Sequence, residues 1–115
     1  MISKLGMTIS SIGIAEEYKN HNICSCSLWP ETAIESFAII NHKLGNKKDC
    51  RKPSILTDCL EYILKENPKE FSGSQLLDET YLSKGITDFD KYRCDPNHEP
   101  QKISDLLWNA GISKL

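Results

Sequence analysis

Length, composition and charge restrict this chain to a single globular domain. It has 115 residues and a mass of 13.0 kDa, whereas typical domains run to ~100–150 residues, so a second domain does not fit. Hydrophobic residues make up 39% and charged residues 26% of the chain, which excludes disorder throughout. The 14 Lys and Arg residues against 16 Asp and Glu residues give a net charge of -2, so no nucleic-acid partner is expected. No apolar run approaches the ~20 residues of a membrane-spanning helix.

The cysteines favour free thiols over a disulfide framework or a metal site. Their number is odd and they fall in different predicted elements, at Cys24, Cys26, Cys50, Cys59 and Cys94. Cys24 and Cys26 would face the same side of a strand, but a zinc site needs at least two more ligands. His21 and His98 are the only other candidates outside the predicted helices. Small free thiols in a reducing compartment are therefore the expectation, with no metal bound.

The first helix is predicted from apolar residues that recur at steps of three or four between residue 1 and about residue 19. They form one stripe on the helix, at Ile2, Leu5, Ile9 and Ile12. Gly6 and Gly13 have no side chain, which permits close approach of a neighbouring backbone to the helix. A buried strand is predicted next over residues 23–29, because that run is short, lacks helical period and ends at Pro30.

Two further helices and a strand are predicted in the middle of the chain. Residues 33–43 read as a helix capped by Thr32 or Glu31 and ended by Gly45. Residues 46–52 read as a loop, and residues 53–66 as a helix with Pro53 at its first position. Residues 71–78 then read as a turn and a short strand. From Asp88 the chain is polar and irregular, apart from a short helix at residues 103–109.

The order of these elements predicts an α/β fold. Helix, strand, helix, helix and strand in succession are half of the alternating pattern that builds a parallel sheet covered by helices. A parallel sheet of about two core strands with three main helices leaves strand edges unpaired and helix faces uncovered. The sequence therefore predicts an incomplete, Rossmann-like doubly wound sheet that needs a partner piece.

Four segments resemble the C-terminal half of the short-chain dehydrogenase/reductase family. The stretch Lys4-Leu5-Gly6-Met7 is similar to the end of the family's Tyr-x-x-x-Lys helix, and Ala15-Glu16-Glu17-Tyr18 to a later turn of that helix. Residues 23–30 resemble the next strand, which ends at a proline beside the nicotinamide. Residues 53–64 with 71–78 resemble the last helix and strand, although Glu79 and Thr80 stand where glycines usually follow. Residues 28–34, 50–52 and 85–90 are similar to the hydroxysteroid dehydrogenase-like members of the family.

The resemblance covers residues 1–101 and implies an NADP- or NAD-dependent oxidoreductase. It implies Lys4 as the catalytic lysine, which also binds the cofactor, and Pro30, Thr32 and Ile34 as cofactor-binding positions near the nicotinamide. The family's tyrosine, four residues before the lysine, would fall one position before Met1, and the sequence contains no Gly-rich phosphate-binding turn. The chain alone is therefore expected to be inactive, and its partner to be the N-terminal half of an intact, homo-oligomeric protein. The alternative is a short, non-catalytic interaction module that pairs through its first helix.

The last three residues, Ser113-Lys114-Leu115, match the tripeptide that the peroxisomal import receptor reads at a free C-terminus. They end a polar tail at residues 102–115. The alternative interpretation is that these residues are a frayed C-terminal tail without a targeting role. The resemblance also implies peroxisomes and mitochondria as the compartments of such oxidoreductases. The sequence therefore predicts a peroxisomal protein, with the mitochondrion as a second location.

Overall fold

The computed structural model describes residues 2–105, which form five helices and four short parallel strands. A 3₁₀ turn precedes β3 at Lys47–Asp49, and another follows α5 at Asp90–Tyr92. The elements in chain order are α1 (Ile2–Glu17), β1 (Ser27–Trp29), β2 (Ala33–Ile34), α2 (Phe37–Asn41), β3 (Cys50–Arg51), α3 (Ser54–Ile63), α4 (Pro68–Phe71), β4 (Gln75–Leu77) and α5 (Asp78–Leu82). None of the helices in this part of the chain is long and apolar enough to cross a membrane.

The strands pair in parallel, in two separate pairs. β1 pairs with β4, with Ser27 opposite Gln75 and Trp29 opposite Leu77. β2 pairs with β3, with Ala33 opposite Cys50. Parallel pairing requires long crossover connections, and helices supply them here. The predicted α/β class, with a partial parallel sheet, is therefore confirmed.

The interior lies between α3 and α5. Its fully or almost fully buried side chains are Ile55, Cys59, Tyr81, Leu82 and Tyr92. The two tyrosines keep their hydroxyls satisfied, because Tyr92 donates to Asp58 Oδ2 at 2.5 Å and Tyr81 to Glu66 Oε1 at 2.9 Å. Burial raises the pKa of the Cys59 thiol to about 12, with the nearby carboxylates adding to the shift, so Cys59 behaves as a small apolar residue.

The helix predicted over residues 33–43 is wrong in its first part. Ala33 and Ile34 form β2 instead, because the backbone of Cys50 and Arg51 offers them a parallel partner. Helix α2 starts only at Phe37, and its cap is Ser36, whose Oγ accepts the N–H of Ile39 at 3.3 Å. The predicted caps Thr32 and Glu31 lie several residues earlier and are buried. The helix predicted from local apolar spacing is therefore replaced at Ala33 and Ile34 by pairing with a strand that is distant in sequence, which no local pattern reveals.

The other predicted helix and strand boundaries differ less from the structure. The first strand is shorter than residues 23–29, and the predicted loop at residues 46–52 contains a 3₁₀ turn and β3. Helix α5 was not predicted, since its five residues are too few to show a period. Helix α3 starts at Ser54, one residue after the expected Pro53. Residues 103–105 are helical, as expected at the start of the helix predicted over residues 103–109, and the rest of that prediction lies outside the described residues. The division of the chain at residue 101 stays a prediction.

Helix α1 packs through its small side chains and exposes its large ones. Its buried residues are Thr8 and Ala15. Ile2 is 89% exposed and Ile9 61% exposed, and the rest of the apolar stripe is also exposed. A Cβ placed on Gly6 or Gly13 would meet nothing within 4 Å, so nothing among the described residues uses the close approach that these glycines permit.

Candidate functional site

An open groove of ≈ 490 Å³ runs between α1 and β1. One wall is a single face of α1, because the lining residues Met7, Thr8 and Ser11 come three, four and seven positions after Lys4. The other wall is residues 26–30, the end of the segment that carries β1. A smaller cavity of ≈ 210 Å³ lies at the other end of α1 and is lined by none of the predicted site residues.

One hydrogen bond sets how α1 lies on β1. The indole Nε1 of Trp29 donates to Thr8 Oγ1 at 2.8 Å, and Thr8 is only 8% exposed. Lys4 precedes Thr8 by one helical turn, and Pro30 follows Trp29 directly. The bond therefore holds the turn that carries Lys4 against the strand end that carries Pro30.

The groove runs along β1 to Pro30, just past its carboxyl end, and next to that end a buried carboxylate joins the ends of β1 and β4. Asp78 Oδ1 accepts the backbone N–H of Glu31 at 2.9 Å and that of Glu79 at 2.6 Å. Burial raises the pKa of Asp78, although the two backbone donors and Arg51 act in the opposite direction. Its second oxygen, Oδ2, is buried and has no hydrogen-bond partner within residues 2–105. The carboxyl ends of parallel strands are the usual place for ligands in open α/β sheets.

A cluster of charges lies next to this carboxylate. Arg51 is 3% exposed, and its Nη1 lies 2.9 Å from Glu79 Oε2. The other carboxylate oxygen, Glu79 Oε1, lies 2.8 Å from Lys102 Nζ. Burial alone would raise the pKa of Glu79, but the two cations outweigh burial and hold it below its usual value. The hydrogen bond to Glu79 raises the pKa of Lys102, so Glu79 and Lys102 both stay charged at neutral pH.

The structure brings together two of the four predicted site residues. Lys4 and Pro30 line the same groove. Thr32 is fully buried and its hydroxyl donates to the Ala33 carbonyl at 3.2 Å, while Ile34 lies in β2 and packs against the interior. Thr32 and Ile34 are therefore outside the groove lining. Ser113, Lys114 and Leu115 lie outside the described residues.

Thr8 and Ile103 line the groove and were not predicted. Thr8 could have been found from the sequence, since it lies four residues after Lys4 and so on the same helical face. Ile103 reaches the groove from a distant part of the chain, and no local pattern reveals such a contact. The five cysteines are free, Cys26 lines the groove, and residues 2–105 contain no group of three or more side chains placed to hold a metal ion.

Comparison with known proteins links this geometry to dehydrogenases. No protein-family model matches the chain. Hydroxysteroid dehydrogenase-like protein 2 from Xenopus tropicalis is 39% identical over 99 residues, and its human counterpart is 38% identical over 102 residues. These alignments cover 84% and 87% of this chain, and 23% and 24% of the relatives.

Two crystal structures share the fold. A protein described as a candidate dehydrogenase from Xanthomonas campestris superposes with a TM-score of 0.77 at 31% identity, and a short-chain dehydrogenase from Mycobacterium thermoresistibile with a TM-score of 0.72 at 35% identity. The chain resembles a segment of the short-chain dehydrogenases. This confirms the predicted resemblance.

The chain spans about a quarter of the length of the curated relatives it matches. It likewise covers 36% of each of the two dehydrogenase structures, which in turn align with 84% and 85% of this chain. Nearly all of this chain therefore corresponds to a minor part of a dehydrogenase.

Proposed function

We propose that the chain is part of a short-chain oxidoreductase that uses NADP(H) or NAD(H), and that the groove holds the nicotinamide end of the cofactor beside the substrate. The observation that carries the proposal is that Lys4 and Pro30 line one groove at the carboxyl end of β1. The resemblance assigns both positions to the same site, although they lie 26 residues apart in the sequence.

The residues present fit one end of a dinucleotide. The Lys4 ammonium is a donor suited to ribose hydroxyls, and the apolar side chains of Leu28, Trp29 and Pro30 give a planar ring a surface that excludes water. The bound nicotinamide would supply the hydride chemistry. The sequence contains no Gly-rich turn for the pyrophosphate, so we assign that contact to a part of the intact protein outside these 115 residues.

Lys4 has a second role in this proposal. An ammonium next to a tyrosine hydroxyl lowers the pKa of the phenol, which can then exchange a proton with the substrate oxygen. The hydrogen bond from Trp29 to Thr8 keeps the Lys4 turn in place while this happens. In the 115-residue chain alone, Lys4 has no tyrosine four residues before it, and we expect no turnover.

The proposal is tested on the intact native protein, whose mass should exceed 13.0 kDa. Lys4→Ala should lower NADPH- or NADH-dependent turnover by at least ~100-fold, the range of a positioned acid–base group. Lys4→Arg should not restore it fully, because a guanidinium differs from an ammonium in shape. Lys48→Ala, which changes an exposed lysine outside the groove, is the matched control. Near-normal turnover in Lys4→Ala would refute the assignment.

We also propose that Ser113-Lys114-Leu115 directs the protein to peroxisomes. The signal needs a free C-terminal carboxylate, so its position matters as much as its residues. A fluorescent protein fused ahead of residues 101–115 should colocalise with a peroxisomal marker. Deleting Leu115, or adding residues after it, should make the fluorescence diffuse. If the intact fusion stays in the cytosol, or if puncta survive the loss of Leu115, the tripeptide is not a targeting signal and its match is a coincidence. Colocalisation with mitochondria instead would favour the second compartment.

The exposed stripe of α1 favours a second candidate function, an interaction module that pairs two chains. Ile2, Leu5 and Ile9 form an uncovered apolar face, and a contiguous apolar face of this kind marks an interaction site. Ile9→Glu should convert an oligomer to a monomer in sedimentation, while Ile40→Glu, on the partly exposed face of α2, should not. If the wild-type chain sediments as a monomer, the pairing is excluded.

A further inference from the structure

The segment at residues 102–104 closes one side of the groove. Ile103 lines the groove together with Pro30, and the Ile103 N–H donates to the carbonyl of Glu31 at 2.7 Å. Glu31 directly follows Pro30. Ile103 therefore lies at the Pro30 end of the groove, on a piece of chain that is remote in sequence from both other walls.

Contacts on both sides of Ile103 hold it there. Lys102 forms an antiparallel bridge with Thr32, and its Nζ lies 2.8 Å from Glu79 Oε1. On the other side, the Ser104 hydroxyl donates to Glu31 Oε1. Three successive residues are thus bonded to the body of the protein, so Ile103 has little freedom to move out of the groove.

The anchors of this segment are themselves buried. Thr32 is fully buried, Glu31 almost so, and Glu79 is fixed from its other side by the ion pair with Arg51. Groups that are buried and bonded on two sides are held in one geometry. The wall that carries Ile103 is therefore a built part of the groove.

The groove combines an apolar surface with one cation. Met7, Leu28, Trp29 and Ile103 supply the apolar surface, and Lys4 supplies the positive charge. We propose that the groove takes an apolar molecule with one anionic or strongly polar group, and that Ile103 determines how large an apolar body fits. That the apolar body is part of the oxidoreductase substrate rests on the function proposed above, in which Lys4 contacts the ribose and the tyrosine. In the chain without cofactor Lys4 can pair with the anionic group of the molecule, and the size limit is a property of the groove.

Straight-chain alkanoates are suitable probes, since each has an apolar body of graded length and one carboxylate. Trp29 can report binding, because it lines the groove. The sequence has two tryptophans, so the substitution Trp108→Phe leaves Trp29 as the only source of an indole signal. Dissociation constants for hexanoate and decanoate are measured from the shift of the Trp29 indole resonance in the Trp108→Phe chain. This signal is separate from binding at the exposed stripe of α1.

The decisive quantity is the ratio of decanoate affinity to hexanoate affinity. Ile103→Ala should raise it by about tenfold and Ile103→Phe should lower it, since one or two methylenes in an apolar pocket discriminate on that scale. Ile103→Val, the conservative variant, should raise it slightly. Lys4→Ala should weaken both probes and leave the ratio unchanged. Ile40→Ala is the matched control and should change neither affinity.

The outcomes separate the two proposals. An unchanged ratio in the Ile103 variants, or no alkanoate binding at the wild-type groove, overturns the role of Ile103 whatever the intact protein catalyses. A changed ratio supports it even if the intact protein shows no nicotinamide-dependent turnover, a result that would refute the oxidoreductase alone. If Ile103→Ala moves the ligand-free Trp29 resonance as far as unfolding does, the ratio for Ile103→Val decides.

Discussion

The interior around α3 and the face of α1 are both built from apolar residues at helical spacing, yet they end in opposite surroundings. Ile55 and Cys59 of α3 are completely buried against α5 and Tyr92. The large apolar residues of α1 are exposed, and this helix packs through Thr8 and Ala15 instead. Apolar periodicity therefore predicts a helix in both places but does not tell which face the chain itself covers.

The difference shows that α1 has two working faces. Its inner face packs through the small residues Thr8 and Ala15, which lets the helix lie close to β1 and form one wall of the groove. Its outer face keeps an apolar stripe that no contact among residues 2–105 uses, next to glycines with open space beside them. Ile55 and Cys59 of α3 are covered by other residues of this chain. The large apolar residues of α1 are left exposed by residues 2–105.

Glu79→Gln should give the largest loss of stability, because it removes the main charge partner of a buried cation. Arg51 would stay buried without its ion-pair partner, and removing one member of a buried pair costs about 3–5 kcal/mol. Glu61→Gln is the control, since Glu61 of α3 pairs with Lys65 at an exposed site. This substitution should cost no more than ~0.5 kcal/mol. Urea unfolding of the purified chain measures both. Equal losses would show that the cluster contributes nothing beyond a surface pair.

Ile55→Ala tests the comparison between the two regions directly. Removing a fully buried isoleucine side chain should lower the free energy of unfolding by about 2–5 kcal/mol. Ile9→Ala removes the same atoms from a residue that is 61% exposed, so the monomeric chain should lose no more than ~0.5 kcal/mol. A large loss for Ile9→Ala at a concentration where the chain is monomeric would contradict the exposed position of the stripe.

Thr8→Val should cost about 1–2 kcal/mol, because it leaves the Trp29 indole N–H without its acceptor in a mostly buried position. Ser10→Ala is the control on the same helix, since the Ser10 hydroxyl donates to the Gly6 carbonyl at an exposed site. It should change stability by less than ~0.5 kcal/mol. The Trp29 indole resonance should shift in Thr8→Val and not in Ser10→Ala. An unshifted resonance would mean that this bond does not hold α1.

The smallest effect is a pH dependence of the Glu79 contribution. The folded-state pKa of Glu79 is lower than its usual 4.5, since Lys102 and Arg51 outweigh burial. A carboxylate of this kind stabilises the fold above its unfolded pKa and loses that contribution as pH falls through its folded pKa. The stability gap between wild type and Glu79→Gln should stay constant from about pH 7 to about pH 5 and shrink below. A gap that widens in acid would reverse the sign of the interaction.

Long periodic elements and the resemblance were predictable from the sequence. Helices α1 and α3 were found because their apolar residues recur over several turns, and β1 and β4 because short apolar runs end at Pro30 and Asp78. The shared position of Lys4 and Pro30 followed from the resemblance alone.

Elements that depend on distant partners were not predictable. β2 exists because Arg51 and Cys50 lie beside it, and the two residues Ala33 and Ile34 carry no period of their own. Ile103 enters the groove because Glu31 and Glu79 hold its neighbours. Such contacts join residues about 17 to 73 positions apart. They form because of tertiary interactions, which local sequence patterns do not encode.

The carboxylate of Asp78 also has a consequence for the order in which the molecule assembles. Its hydrogen bond to Glu31 closes a loop of 47 residues. Long loops close late in folding, because the chain loses conformational entropy before the stabilising contacts form. The contacts between α3 and α5 span fewer residues and can form first. The closure between Asp78 and Glu31 should then be among the first contacts to open in native-state hydrogen exchange, so the Glu31 amide should exchange early while the amides of α3 stay protected.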